Sequence, residues 1–214
     1  MGATVGTLVL GQVRASASRM TDSLTEQTLI ERCRKQDSEA FGRFIDLYQG
    51  RVFGFVRRMV ADADEAADVT QEVFIRAYQH FGRFDSRSSV KTWLFKIAHN
   101  LCVDYSRRKK RTPNAMSLSA ADDESEAIDV ADVRWQPELV TMDEELADAV
   151  DGAIMSMSEK LRSVLLLHDR DDLAYDEIAS VLAIPVGTVK SRLFLARAHL
   201  QNSLAGYLGE RAQA

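Results

Sequence analysis

The sequence predicts an all-α chain: an N-terminal four-helix bundle, an acidic connector and a smaller C-terminal helical domain. Three observations carry this. Apolar residues recur three and four apart through most of the chain, with no alternating strand pattern and no internal repeat. Only three prolines and eleven glycines interrupt 214 residues. The acidity behind the net charge of −5 is concentrated in one stretch that lacks any sustained period.

The first helix is expected over about Thr25–Gln36, with Leu29, Ile30 and Cys33 at helical spacing. The second starts at Ser38 and carries a wide stripe of Phe41, Phe44, Ile45, Tyr48, Val52, Phe55, Val56 and Met59. The third follows Ala63, where Asp64 and Glu65 suit a helix N-terminus, and continues to Phe81 through Val69, Val73 and Ala77. Gly82–Ser89 is rich in helix breakers and reads as a loop. The fourth helix runs from about Val90 into the basic run Arg107–Arg111.

Residues 112–140 hold Pro113, Pro137 and many Ser, Ala and acidic residues, the composition of a linker. Helical pattern resumes over Asp143–Met157, from an N-cap at Ser158 to about Arg170, over Tyr175–Leu182, and from Gly187 to about Leu208. The expected division is therefore 1–22 disordered extension, 23–111 bundle, 112–140 acidic linker, 141–208 C-terminal domain and 209–214 tail. Residues 1–22 lack a basic start and a long apolar run, so they read as an extension rather than a signal peptide, with Met20 as an alternative start. No apolar run approaches the roughly 20 residues a membrane helix needs.

Composition and spacing also narrow the chemistry. Cys33 and Cys102 are far apart with no CxxC partner, so they read as buried thiols of a reducing compartment. His80, His99, His168 and His199 fall at no metal-ligand spacing, and no Gly-rich phosphate loop is present. The sequence therefore implies no metal, cofactor, small-molecule substrate or enzymatic activity, and no membrane insertion. Residues 21–111 carry more Lys and Arg than acids, so the acidic average conceals a basic bundle.

Two segments point to nucleic acid. In the C-terminal domain a short helix at Asp176–Leu182 breaks at Ala183-Ile184-Pro185, and a second begins at Gly187-Thr188. This fits a helix-turn-helix whose Val189, Leu193, Ala196 and Leu200 face inward. Its outward candidates are Thr188, Lys190, Ser191 and Phe194 for base edges, with Arg192 and Arg197 toward phosphates. In the fourth helix, Trp93 and Phe95 interleave with Lys91, Lys96, Arg107 and Arg108, a pattern suited to single-stranded DNA. Asp68, Gln71 and Glu72 share one face of the third helix, opposite its apolar stripe. A conventional helix-turn-helix regulator with a ligand-sensing domain is the alternative class on this evidence.

The segments DEAADVTQEVFIRAYQHFGRFD, VKTWLFKIAHNLCVDYSRRKKR and AYDEIASVLAIPVGTVKSRLFLARAHL closely resemble, in this order, the extracytoplasmic-function sigma factors, from about Thr21 to Tyr207. The resemblance implies a sigma region 2 bundle and a sigma region 4 domain that direct RNA polymerase to promoters in the cytoplasm, in an envelope or other stress response. It implies contact with the β′ clamp through Asp68, Gln71 and Glu72, and with the β flap. Phe84, Ile97, Ala98 and Asn100 match the pocket for a flipped −10 base, the helix-turn-helix matches the −35 reader, and an anti-sigma protein is the implied regulator. Two positions depart from the pattern: Ala174 stands where a Ser or Thr cap is common, and Leu195 where a basic residue is common.

Overall fold

A computed structural model describes residues 26–111 and 144–211 of the chain. The expected extension, the connector 112–140 and residues 212–214 lie outside the described residues. The elements are α1 (26–34), α2 (Ser38–Met59), α3 (Ala63–His80), α4 (Val90–Arg111), α5 (Glu144–Ser156), α6 (Glu159–Leu165), α7 (Tyr175–Leu182) and α8 (Val186–Arg211). A single 3-10 turn, Phe81–Arg83, follows α3, and a π turn, Leu166–Arg170, extends α6. α8 thus continues past its expected end near Leu208.

Local chemistry sets the helix starts. Asp37 Oδ1 accepts from the Glu39 and Ala40 amides at 3.0 and 3.1 Å, and Asp62 Oδ1 accepts from Asp64 and Glu65 at 2.9 and 3.0 Å. Both carboxylates satisfy amides that a helix leaves unpaired. Ser89 caps α4, its Oγ accepting from the Thr92 amide at 3.1 Å. Ser158 occupies the predicted N-cap position of α6, but its side chain makes no capping bond.

The core of the bundle is aromatic. Phe41, Phe44 and Phe81 pack in a cluster, and Phe55 meets Phe95 edge-on with centroids 5.4 Å apart. Phe44, Phe55, Phe81 and Phe95 are fully buried, and truncating such a ring to alanine costs about 3–5 kcal/mol. In α4 Leu94 and Phe95 are both buried, while Trp93 and Ile97 are half-buried. One stripe cannot hold these neighbours, but α4 packs against α3 and α2 on one side and α7 on another. The C-terminal domain packs α5, α6 and α7 around α8, with Leu166, Leu167, Ile178, Val189 and Leu193 inside. Both cysteines are buried and free, and burial pushes Cys33 up to about 11 and Cys102 up to about 12.

Candidate functional site

The two helices of the turn meet at 100°, within the range of a helix-turn-helix. Ala183 makes the corner in the left-handed region at φ 54°, and the Ile184 amide bonds back to the Ala179 carbonyl at 3.1 Å. Ala174 has no side-chain acceptor for the first-turn amides, and only the reciprocal half of a capping box forms: Glu177 Oε2 accepts from the Ala174 amide at 3.1 Å. Val189, Leu193 and Ala196 are buried, so the opposite face of α8 is free to read. On that face Lys190 is exposed, Phe194 is 46% exposed, and Thr188, Ser191 and Arg192 are half-buried. The Lys190 ammonium lies 5.8 Å from the Tyr175 ring centroid, and Tyr175 stacks on His168. Arg197 is held inside the domain, because Asp169 takes its Nη2 at 2.6 Å and its Nε at 3.1 Å.

The second candidate surface is the start of α4 and the loop before it. Phe84 is buried, and Phe81, Phe84 and Trp93 form a cluster with centroids 5.2–6.1 Å apart. Lys96, Asn100, Arg107 and Arg108 are exposed, Ile97 and Lys91 are half-buried, and Ala98 is completely buried. Ala98 is therefore a core residue that backs this surface, while Phe84 is buried against Phe81 and Trp93 at its edge. Burial, with Arg51 nearby, holds the Lys91 ammonium below its usual range. A cavity of about 470 Å³ opens between α1 and residues 84–90, with Phe84 as its one predicted residue.

The predicted acidic face of α3 divides. Asp68 and Gln71 are exposed, while Glu72 is half-buried and pairs with Arg76 at 2.7 Å. Gln71 alone lines a groove of about 810 Å³ between α2 and α3, with Phe41, Ile45, Phe53, Phe74, Ile75 and Tyr78 among its walls. Sequence reasoning missed this groove. Its signal was present, because Phe53, Ile75 and Tyr78 fall off the buried stripes and stay 37–43% exposed. Such clustered exposure of large apolar groups marks a protein-binding surface. Among the described residues no group of three His, Cys, Asp or Glu side chains is placed to hold a metal, and no single helix is long and apolar enough to cross a membrane.

A basic, aromatic helix start in one domain and a helix-turn-helix in the other define a two-domain DNA-reading protein. Residues 44–112 match the family model described as Sigma-70 region 2, and residues 147–200 match Sigma-70, region 4. The chain is 37% identical over 187 residues to the RNA polymerase sigma-H factor of Pseudomonas aeruginosa, covering 86% of this chain and 96% of that one. It is 37% identical over 186 residues to the ECF RNA polymerase sigma-E factor of Escherichia coli K12, covering 86% and 97%. The solved complex of CnrH with the cytosolic domain of CnrY matches in fold with a TM-score of 0.60 at 22% identity, over 84% of this chain and 96% of CnrH. The sigma factor RpoE of Bartonella quintana, solved with the anti-sigma factor NepR, matches at 0.58 and 24%, over 77% and 96%. The chain belongs to the extracytoplasmic-function sigma factors of RNA polymerase. It is a promoter-specificity subunit for transcription initiation.

Proposed function

We propose that this sigma factor joins core RNA polymerase through the α2–α3 groove and its rim, with Asp68, Gln71 and Glu72 meeting the β′ clamp and the C-terminal domain meeting the β flap. The outward face of α8 reads the duplex −35 element: Thr188, Lys190, Ser191 and Phe194 face bases, while Arg192 and Arg197 face phosphates. The start of α4 captures unstacked −10 bases, with Lys91, Trp93, Lys96, Ile97, Asn100, Arg107 and Arg108 on the strand and Phe84 and Ala98 behind them. The chain performs no covalent chemistry, works in the cytoplasm, and answers a stress signal relayed by an anti-sigma protein. CnrH and RpoE were solved with CnrY and NepR, which supports that last element by analogy.

One observation carries the reading: a 37% identical sigma-E factor aligns over 97% of its own length, so both domains and their order are retained. Run-off transcription with core polymerase, with and without this chain, tests it. Promoter-dependent product only in its presence is the expected result. No product, together with tight operator binding by the chain alone, would leave a conventional helix-turn-helix regulator instead.

A further inference from the structure

The α2–α3 groove has a selective chemistry. It holds about 810 Å³, and none of its lining side chains carries a charge, although 28% of the residues in this chain are charged. Phe53, Ile75 and Tyr78 stand partly exposed on its walls, while Gln49, Gln71 and Gln79 supply neutral polar groups. An aliphatic segment without ionised side chains can enter such a groove without desolvating a charge, whereas a charged segment cannot.

One segment of this chain has that chemistry. Residues 1–13 hold Val5, Leu8, Val9, Leu10 and Val13 and no ionisable side chain, the longest such run in the sequence. The family resemblance begins at about Thr21, so this run is additional to the two domains. It lies outside the described residues, which begin at Glu26. One contact fixes where the chain enters the fold: Tyr48 of α2 donates its hydroxyl to Glu26 Oε1 at 2.8 Å. Tyr48 is the immediate neighbour in sequence of Gln49 in the groove wall. Residues 14–25 separate the run from that point and reach about 40 Å when extended. α2 has 22 residues and is about 33 Å long, so the run can reach any part of the groove. A second copy of the chain fits less well. A symmetric pair would set the groove against itself, and two concave surfaces leave their floors uncovered.

We propose that residues 1–13 seat in the α2–α3 groove of their own chain and compete there with core polymerase. The proposal rests on the assignment of that groove to core polymerase. Because the segment is held in cis, its effective concentration at the groove is about 1 mM. A segment that dissociates at about 0.1 mM then fills the groove about ten-elevenths of the time and weakens core binding about tenfold. The extension thereby sets the concentration of core polymerase at which the chain responds, and a chain begun at Met20 lacks that restraint.

Two measurements test this. A photo-cross-linking residue in place of Val9 of the full chain should join to groove residues of α2 or α3, and adding core polymerase should remove those products. In a titration with core polymerase, the chain begun at Met20 should bind roughly three- to tenfold more tightly than the full chain. The full chain carrying Leu8→Asp and Leu10→Asp should match the shortened one. Cross-links to other surfaces overturn the proposal, as do cross-links joining two chains, which would give the groove to a second copy. Equal affinity of the three forms overturns it as well. If no form binds core polymerase, the assignment of the groove fails and the competition with it, while the cross-links still decide whether the segment docks there.

Discussion

Asp171 should make the packing of the two domains, closed where Glu177 meets Thr92 and Arg51 meets Asp171, sensitive to protons. Burial pushes its carboxyl up to about 6, against the opposing pull of Arg170, Arg51 and Lys91 and with the help of Asp172. Opened to water, the group returns to an ordinary value of about 3.9. The closed form therefore binds the proton more readily, so this contribution to closure is full below the open-state value and is lost as pH rises through about 6. At pH 8 neither form is protonated. At pH 5 the closed form is protonated about ten-elevenths of the time and the open form hardly at all, which shifts the closed-to-open ratio by about tenfold, or ~1.4 kcal/mol. Glu177 has the opposite sign: burial raises its carboxyl, but hydrogen bonds from Thr92, Ala174 and Ser89 outweigh this and hold it below its usual value. Protonating Glu177 therefore disfavours the packed arrangement, and this group is shared by every variant compared. Burial holds His99 low, with Glu159 and Asn100 opposing, so His99 also titrates in the acidic range and must be held constant. The measurement is therefore a comparison. Single-molecule energy transfer between labels at exposed positions 49 and 202 counts closed and open chains for wild type and Asp171→Asn, which share His99. Wild type should gain about tenfold in closed chains from pH 8 to pH 5 relative to Asp171→Asn. Identical pH profiles, or a wild-type profile that opens relative to the variant, would refute the reasoning.

Three further outcomes follow from the proposed surfaces. Reversing Asp68 and Glu72 to lysine should abolish co-purification with core polymerase and leave the helical circular dichroism intact, since the substitution breaks the half-buried Glu72–Arg76 pair, worth about 0.3–0.5 kcal/mol, and touches no core residue. Binding at wild-type affinity would move the contact off that face. Asn100→Ala should slow promoter opening and relax one −10 position by about 1–3 kcal/mol, with −35 binding kept; unchanged opening on every −10 variant would count against it. On a randomised −35 library, Phe194→Ala should alter the preferred sequences, whereas Arg197→Ala should weaken all of them alike and reduce the salt slope by about one. The roles are reversed if Arg197→Ala changes the preference.

The fold was legible where helical period and capping chemistry agree. The stripe from Phe41 to Met59 locates α2, the break at Ala183-Ile184-Pro185 locates the turn, and both appear at the expected residues. The caps were partly hidden. Asp64 and Glu65 sit in the first turn of α3 as expected, but the N-cap before them, Asp62, was not named, because an N-cap is defined by extended backbone that a residue list does not display. In α4 the period misled, since a helix covered on two sides buries Phe95 as well as Leu94 and leaves no single stripe to read.

The functional surfaces divide along a different line. The candidates carried by one helix need only its period, since Lys190, Ser191 and Phe194 follow from their angular position on α8 alone. Those made between elements need more. The α2–α3 groove needs Phe53 and Ile75 to be brought together across two helices, and the packing of the two domains needs Glu177 to meet a helix start 85 residues earlier in the chain. Arg197 illustrates the consequence. Its position on α8 suggests a free phosphate contact, but Asp169, from the π turn before α7, holds it with two bonds. A phosphate must displace that carboxylate, or the carboxylate must fix the guanidinium while a remaining N–H donates to the phosphate. In either case the charge presented at this margin is set jointly by α8 and a turn distant from it in sequence. The same holds at the start of α4, where the Ser89 and Thr92 hydroxyls point to a carboxylate of the other domain. The two proposed reading helices thus both present groups already engaged by carboxylates of this chain.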